Sequence, residues 1–155
     1  MTSPNPTIEQ IQQMLSRCAG KTIWGAKAGP TDLACEIGET WKNPKNGQSY
    51  GTFGLFVNCP WEIRRDGQAI ASSGDERTEE WGERVESALN DQVIRAATLT
   101  KQTHELTLQL QPDAEFLIRP NPDEDEWGSW SFFYVDSPSA RLWCTFNGVK
   151  IRYNN

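Results

Sequence analysis

Residues 56–72 read FVNCPWEIRRDGQAIAS, and the fold class turns on how they are placed. From Phe56 to Arg65 the side chains alternate. Val57, Cys59, Trp61 and Ile63 fall on one face, and Asn58, Glu62 and Arg64 on the other, which is the period of a strand with one buried side. Pro60 has no N–H to give to a ladder, so it predicts a sheet edge or a bulge within that strand. Asp66-Gly67 is a dipeptide suited to positive φ, and QAIAS then returns, so the stretch predicts a tight antiparallel hairpin.

The same period runs outward in both directions. Toward the N-terminus, KTIWGAKA (21–28) and LACEIGETW (33–41) flank GPTD as a hairpin, and WKNPKNGQSYG (41–51) reads as a polar, turn-rich loop. Toward the C-terminus, VIRAATL, HELTLQL, EFLIR, SFFYV, ARLWCTF and VKIRY read as strands. Asn147-Gly148 joins the last two as a hairpin turn. Two segments instead carry helical spacing. Residues 7–18 align Ile8, Ile11, Leu15 and Cys18 behind a Thr7-x-x-Gln10 capping box, and Gly20 ends the run. Residues 72–90 align Trp81, Val85, Ala88 and Leu89, with a start predicted at Ser73-x-x-Glu76 and an ion pair predicted between Glu80 and Arg84. No repeat or low-complexity linker divides the chain. The pattern predicts one α+β domain over residues 1–155. It has two helices and about nine or ten strands in an antiparallel sheet, curved or partly barrel-like.

Against 15 Lys and Arg stand 21 Asp and Glu, a formal net charge of −6. That balance excludes a binder of long nucleic acid, which needs a basic footprint to displace counterions. No apolar run reaches the about 20 residues of a membrane-spanning helix, and MTSPNPTIEQ lacks the basic flank and apolar core of a secretion signal. A cytoplasmic location without a membrane partner is the expectation. Cys18, Cys35, Cys59 and Cys144 are spread singly, and there is one His in the chain. No metal-ligand spacing can be assembled from them, so no metal or cofactor is expected, and the cysteines read as buried free thiols.

His104 is the one histidine, and so the one side chain whose type suits general acid–base work near neutral pH. No nucleophile motif and no glycine-rich phosphate loop accompanies it. The acids fall into two bursts, Asp75, Glu76, Glu79 and Glu80, then Asp123, Glu124, Asp125 and Glu126. The second burst lies in NPDEDEWGSW (121–130), beside Trp127 and Trp130. Aromatic anchors within a charged rim are the composition of an interface hot spot. Of seven tryptophans, Trp24, Trp61, Trp81 and Trp143 lie in regular segments and are predicted to be core. Trp41, Trp127 and Trp130 lie at loop margins, where stacking or an interface can use them.

The stretch VNCPWEIRRDGQAIASSGDE, followed by LTLQLQPDAEFLI and a late aromatic strand, resembles a family of small uncharacterised bacterial proteins, some encoded among immunity-type proteins. The matching positions are Cys59, Trp61, Ile63, Gly67, Ser73 and Asp75. Glu62 stands where that family carries a basic residue, and the small residues before Asp75 are spaced more loosely. The resemblance implies an α+β fold and an inhibitor-like role, and it brings no catalytic residue set.

Three functions follow as expectations. The first is a non-enzymatic acidic binding protein of immunity or inhibitor type that captures a basic toxin or effector. Asp123, Glu124, Asp125 and Glu126 would supply attraction, and Trp127 and Trp130 apolar anchors. The second is a small-ligand module holding a nucleotide-like or aromatic compound on the curved sheet, with Trp41, Arg64, Arg65, Asp75 and Arg77. The third is a small hydrolase that uses Asp75 or Glu76 with His104.

Overall fold

The computed structural model describes residues 6–120, 129–137, 140–146 and 151–154. In chain order the elements are α1 (Ile8–Ser16), β1 (Ile23–Ala28), β2 (Leu33–Lys42), β3 (Ser49–Asn58), β4 (Trp61–Arg65), β5 (Gln68–Ser72), α2 (Glu79–Leu89), β6 (Ile94–Leu99), β7 (Leu106–Leu110), β8 (Ala114–Ile118), β9 (Ser129–Ser137), β10 (Ala140–Phe146) and β11 (Ile151–Asn154). The class is α+β, and every named strand pair is antiparallel.

The stretch predicted as one strand over residues 56–65 is two strands in two sheets. A six-stranded sheet has the order β1-β2-β3-β9-β10-β11, and a five-stranded sheet the order β5-β4-β8-β7-β6. The chain leaves the first sheet after Asn58 and enters the second at Trp61. Pro60 ends the first ladder because it has no N–H to give, while its carbonyl accepts from Arg119 N–H at 2.9 Å beside the second. The alternation survives because both inner faces border one core: Leu55 and Val57 fill it from β3, Trp61 and Ile63 from β4, and all are buried. This division raises the strand count from the predicted nine or ten to eleven among the described residues.

At one corner the two sheets are stitched together without closing. Thr22 bridges Val93, and Gly20 N–H, Ile94 N–H and Ile23 N–H donate to Ile94, Lys21 and Gln92 carbonyls at 2.7, 2.8 and 2.9 Å. The start of β1 thereby lies along the start of β6, and the result is a partly barrel-like pair of sheets.

Both helices guard strand edges. The Thr7 side chain and Gln10 form the predicted capping box of α1, whose Ile11 and Leu15 are buried. Gln12 then uses its side-chain amide as a strand would, donating to Ala97 O at 2.9 Å and accepting from Leu99 N–H at 2.7 Å. At the C-terminus of α2, Asn90 Oδ1 accepts from Ala26 N–H of β1 at 2.8 Å.

The cap of α2 is Thr78, not the predicted Ser73: Thr78 Oγ1 accepts from Trp81 N–H at 3.1 Å. Residues 72–77 are held by competing local bonds. Asp75 accepts from Ser72 N–H and Oγ–H at 2.9 and 3.1 Å, and Ser73 Oγ accepts from Trp61 N–H at 3.0 Å. The described ion pairs do not include Glu80 with Arg84.

The Asp66-Gly67 hairpin forms as predicted, with φ of 52° and 77° at the two residues, the signature of a type I′ turn. The polar loop after Trp41 is shorter than expected, because β2 runs to Lys42 and β3 begins at Ser49. Asn147-Gly148 lies outside the described residues, although β10 and β11 on either side pair antiparallel.

Candidate functional site

Among the described residues the inner face of the six-stranded sheet is apolar, and the outer face carries an open groove of about 330 Å3. Alternation puts the groove there. Leu33, Cys35 and Ile37 of β2 and Phe53, Leu55 and Val57 of β3 point inward, so Ala34, Glu36, Gly54 and Phe56 border the outer side. Register aligns Trp24, Glu36, Gly54 and Phe133 across four neighbouring strands. Gly54, which is buried, lets Glu36 and Phe133 approach each other over its backbone. A Cβ there would lie 3.4 Å from Glu36 Oε2 and 3.7 Å from Phe133 Cβ.

Aromatic rings wall the groove. Trp41 and Tyr50 are cross-strand partners with ring centroids 6.1 Å apart, and the Tyr50 hydroxyl donates to Gln48 Oε1 at 2.6 Å. Phe133 is half-buried. Phe56 is 40 % exposed, the one exposed large hydrophobic among the described residues.

Among the described residues that line the groove, Glu36 is the charged one. A bulge between Ile37 and Thr40 shifts the β2–β3 register beside Gly51, whose N–H donates to Glu36 Oε2 at 2.9 Å. Only glycine fits at this position, since a Cβ on Gly51 would lie 2.7 Å from the nitrogen and the oxygen of Ile37. Partial burial pushes the Glu36 carboxyl above the usual carboxylate range, with the Gly51 N–H pulling the other way. No Lys or Arg among the described residues forms an ion pair with it.

The predicted site residues are scattered by comparison. Asp123, Glu124, Asp125, Glu126 and Trp127 lie outside the described residues. Trp130 is 0 % exposed: its ring stacks on Phe146 at 4.3 Å and its indole N–H donates to His104 O at 2.8 Å. It therefore packs the core and offers no exposed anchor. Its period-two spacing with Phe132 and Tyr134, both buried, was the signal that places it inward.

Of the small-ligand set, only Trp41 lines the groove. Arg64 Nε lies 3.2 Å from Glu62 Oε2, without the alignment of a hydrogen bond. Arg65 is cross-strand from Gln68 in the hairpin. Arg77 lies over the Trp81 ring at 4.8 Å and donates to Gly29 O and Ser73 O at 3.1 Å each. Asp75, tied to Ser72, borders with Glu76 and Arg84 a separate polar depression of about 360 Å3 beside β5.

His104 is 7 % exposed, at φ +58°, with its ring edge-on to Phe146 at 5.7 Å. Among the described residues no hydrogen bond joins it to Asp75 or Glu76. No cluster of three or more His, Cys, Asp or Glu is placed to hold a metal among the described residues. All four cysteines are free and buried, and burial pushes each thiol up to about 12, far from thiolate chemistry.

Of the tryptophans predicted to be core, Trp61 and Trp81 are buried. Trp24 is half-buried, cross-strand from Glu36, with its indole N–H on Gly38 O at 2.9 Å. The Trp143 side chain lies outside the described residues.

Glu36, Tyr50, Gly54, Phe56 and Phe133 escaped sequence reasoning. The available signal was SYGTFGLF, where two glycines interrupt an aromatic strand. No described helix is long and apolar enough to cross a membrane. Compared with known proteins, the chain matches no family model, no curated protein and no solved structure.

Proposed function

We propose that this chain is a non-enzymatic acidic binding protein of immunity or inhibitor type. It captures a basic toxin or effector protein on the outer face of the six-stranded sheet. The observation that carries the reading is the groove itself, where exposed Phe56 adjoins the half-buried carboxylate of Glu36 on an open sheet face. Apolar anchors beside a charge are how interface hot spots are built. A net charge of −6 favours a basic partner and speeds its approach. The run Asp123 to Glu126 leads in sequence into β9, which lines the groove through Ser131 and Phe133.

A pull-down with three chains tests this: the wild type, Phe56→Ala, and a chain with Asp123, Glu124, Asp125 and Glu126 all changed to their amides. The expected result is one basic protein retained by the wild type, released by raised salt, and weakened in both variants. Equal retention by all three chains overturns the proposal.

One observation favours a second reading. The groove's 330 Å3 falls at the low end of small-ligand sites, roughly 300–1,000 Å3, and Trp41 borders it. Quenching of tryptophan fluorescence by a nucleotide or aromatic compound, without protein capture, would favour that reading.

A further inference from the structure

We infer that the Glu36 groove is the receptor for one arginine side chain, presented by the basic protein partner. This rests on the protein-capture reading above and names the contact at its centre.

The carboxylate is incompletely used. Its Oε2 accepts one bond, from Gly51 N–H, and Oε1 accepts none among the described residues, whereas a carboxylate has about four acceptor positions. Holding such a group half out of water is costly unless a cation meets it. The groove, about 330 Å3, leaves room for one to arrive beside Glu36, whose Oε2 rests close over buried Gly54, and Trp41, Tyr50, Phe56 and Phe133 line it.

Those walls choose among cations. A guanidinium is planar and weakly hydrated, stacks on aromatic faces, and offers paired N–H donors that match a carboxylate edge. An ammonium is compact and strongly hydrated, and it gains less from flat rings. Arginine also carries an apolar stem that can lie along exposed Phe56.

The test is an amide-shift titration of isotope-labelled protein with three probes: a short end-blocked peptide whose sole charge is one arginine, the same peptide carrying citrulline, and agmatine. The arginine peptide and agmatine are expected to shift Gly51, Gly54 and the Trp41 indole, and the uncharged citrulline peptide is not. Glu36→Gln keeps an acceptor for Gly51 N–H and should weaken the arginine peptide by about tenfold or more. Phe56→Ala, at an exposed position that does not threaten the fold, should weaken it as well. Equal binding of the arginine and citrulline peptides overturns the inference, as do shifts confined to other residues or an affinity unchanged in Glu36→Gln. A basic partner retained equally by wild type and Glu36→Gln also overturns it and leaves the capture reading standing. Groove binding by arginine probes with no partner captured supports the receptor and overturns the capture reading.

Discussion

Gln12 completes the edge of a sheet to which it does not belong: its side-chain amide accepts from Leu99 N–H at 2.7 Å and donates to Ala97 O at 2.9 Å. An exposed edge strand invites pairing with other chains, and a helix laid along it is one way of covering it. Gln12→Ala leaves a strand N–H and a carbonyl without these partners. It should cost about 1–3 kcal/mol in urea unfolding and raise the tendency to associate. Gln12→Glu retains the acceptor but loses the donor at neutral pH, so its loss should shrink on acidification, when the carboxyl regains a proton to donate. Equal stability of Gln12→Ala and the wild type would show that α1 is not what completes β6.

The turn at Asp66-Gly67 holds both of its central residues at positive φ. Gly67 sits at φ +77° and a Cβ there would meet nothing within 4 Å. Any cost of Gly67→Ala is therefore conformational, about 1 kcal/mol. Gly74 lacks a positive φ, and its Cβ would meet only Ser72 Oγ at 3.7 Å. Gly74→Ala should be neutral or stabilising by up to about 1 kcal/mol through the unfolded chain. Thermal unfolding of the two variants side by side checks the contrast.

What sequence reading captured and missed has a common physical basis. Periodicity reports which side of a segment is buried, and it located most of the strands, both helices and the inward faces of Val57, Cys59, Trp61 and Ile63. It carries no information on which sheet a residue joins. At Pro60 two inner faces border one core, so the alternation continues across a break in hydrogen bonding. The groove was hidden for a related reason. It forms across β2, β3 and the sequence-distant β9, with Glu36 and Phe133 brought alongside Gly54 by register alone. A bulge that no local propensity signals sets the carboxylate over Gly51. Trp41 borders the polar stretch 41–51 and its cross-strand partner Tyr50 falls inside it, so nothing local in the sequence marks the pair.

Trp130 is a core residue, and its substitution should read as one. Trp130→Ala removes a ring stacked on Phe146 and should cost about 3–5 kcal/mol. Trp130→Phe keeps an aromatic ring but withdraws the N–H from His104 O, and a loss of about 1–3 kcal/mol is expected. At temperatures where Trp130→Phe stays folded, partner capture should match the wild type. Weakened capture by a fully folded Trp130→Phe would restore this residue to the interface.

Glu36 should be a site where binding is favoured at the expense of stability. Burial raises its carboxyl above the usual range, so the folded chain favours the protonated form more than the unfolded chain does. Such a group contributes its full stability below the unfolded value, and that contribution is lost as pH rises through the folded one. Glu36→Gln stays neutral and still accepts from Gly51 N–H, so it escapes the loss. The two chains should melt closest together in acid, and Glu36→Gln should become the more stable of the pair as the pH approaches 7. A guanidinium in the groove reverses the sign, because it favours the ionised carboxyl and pulls its pKa down. Adding the arginine peptide should therefore raise the melting temperature of the wild type at neutral pH and leave Glu36→Gln nearly unmoved. Thermal unfolding across pH, with and without peptide, reads both effects. A gap between the two chains that does not change with pH would mean that the carboxylate is already satisfied within the free protein.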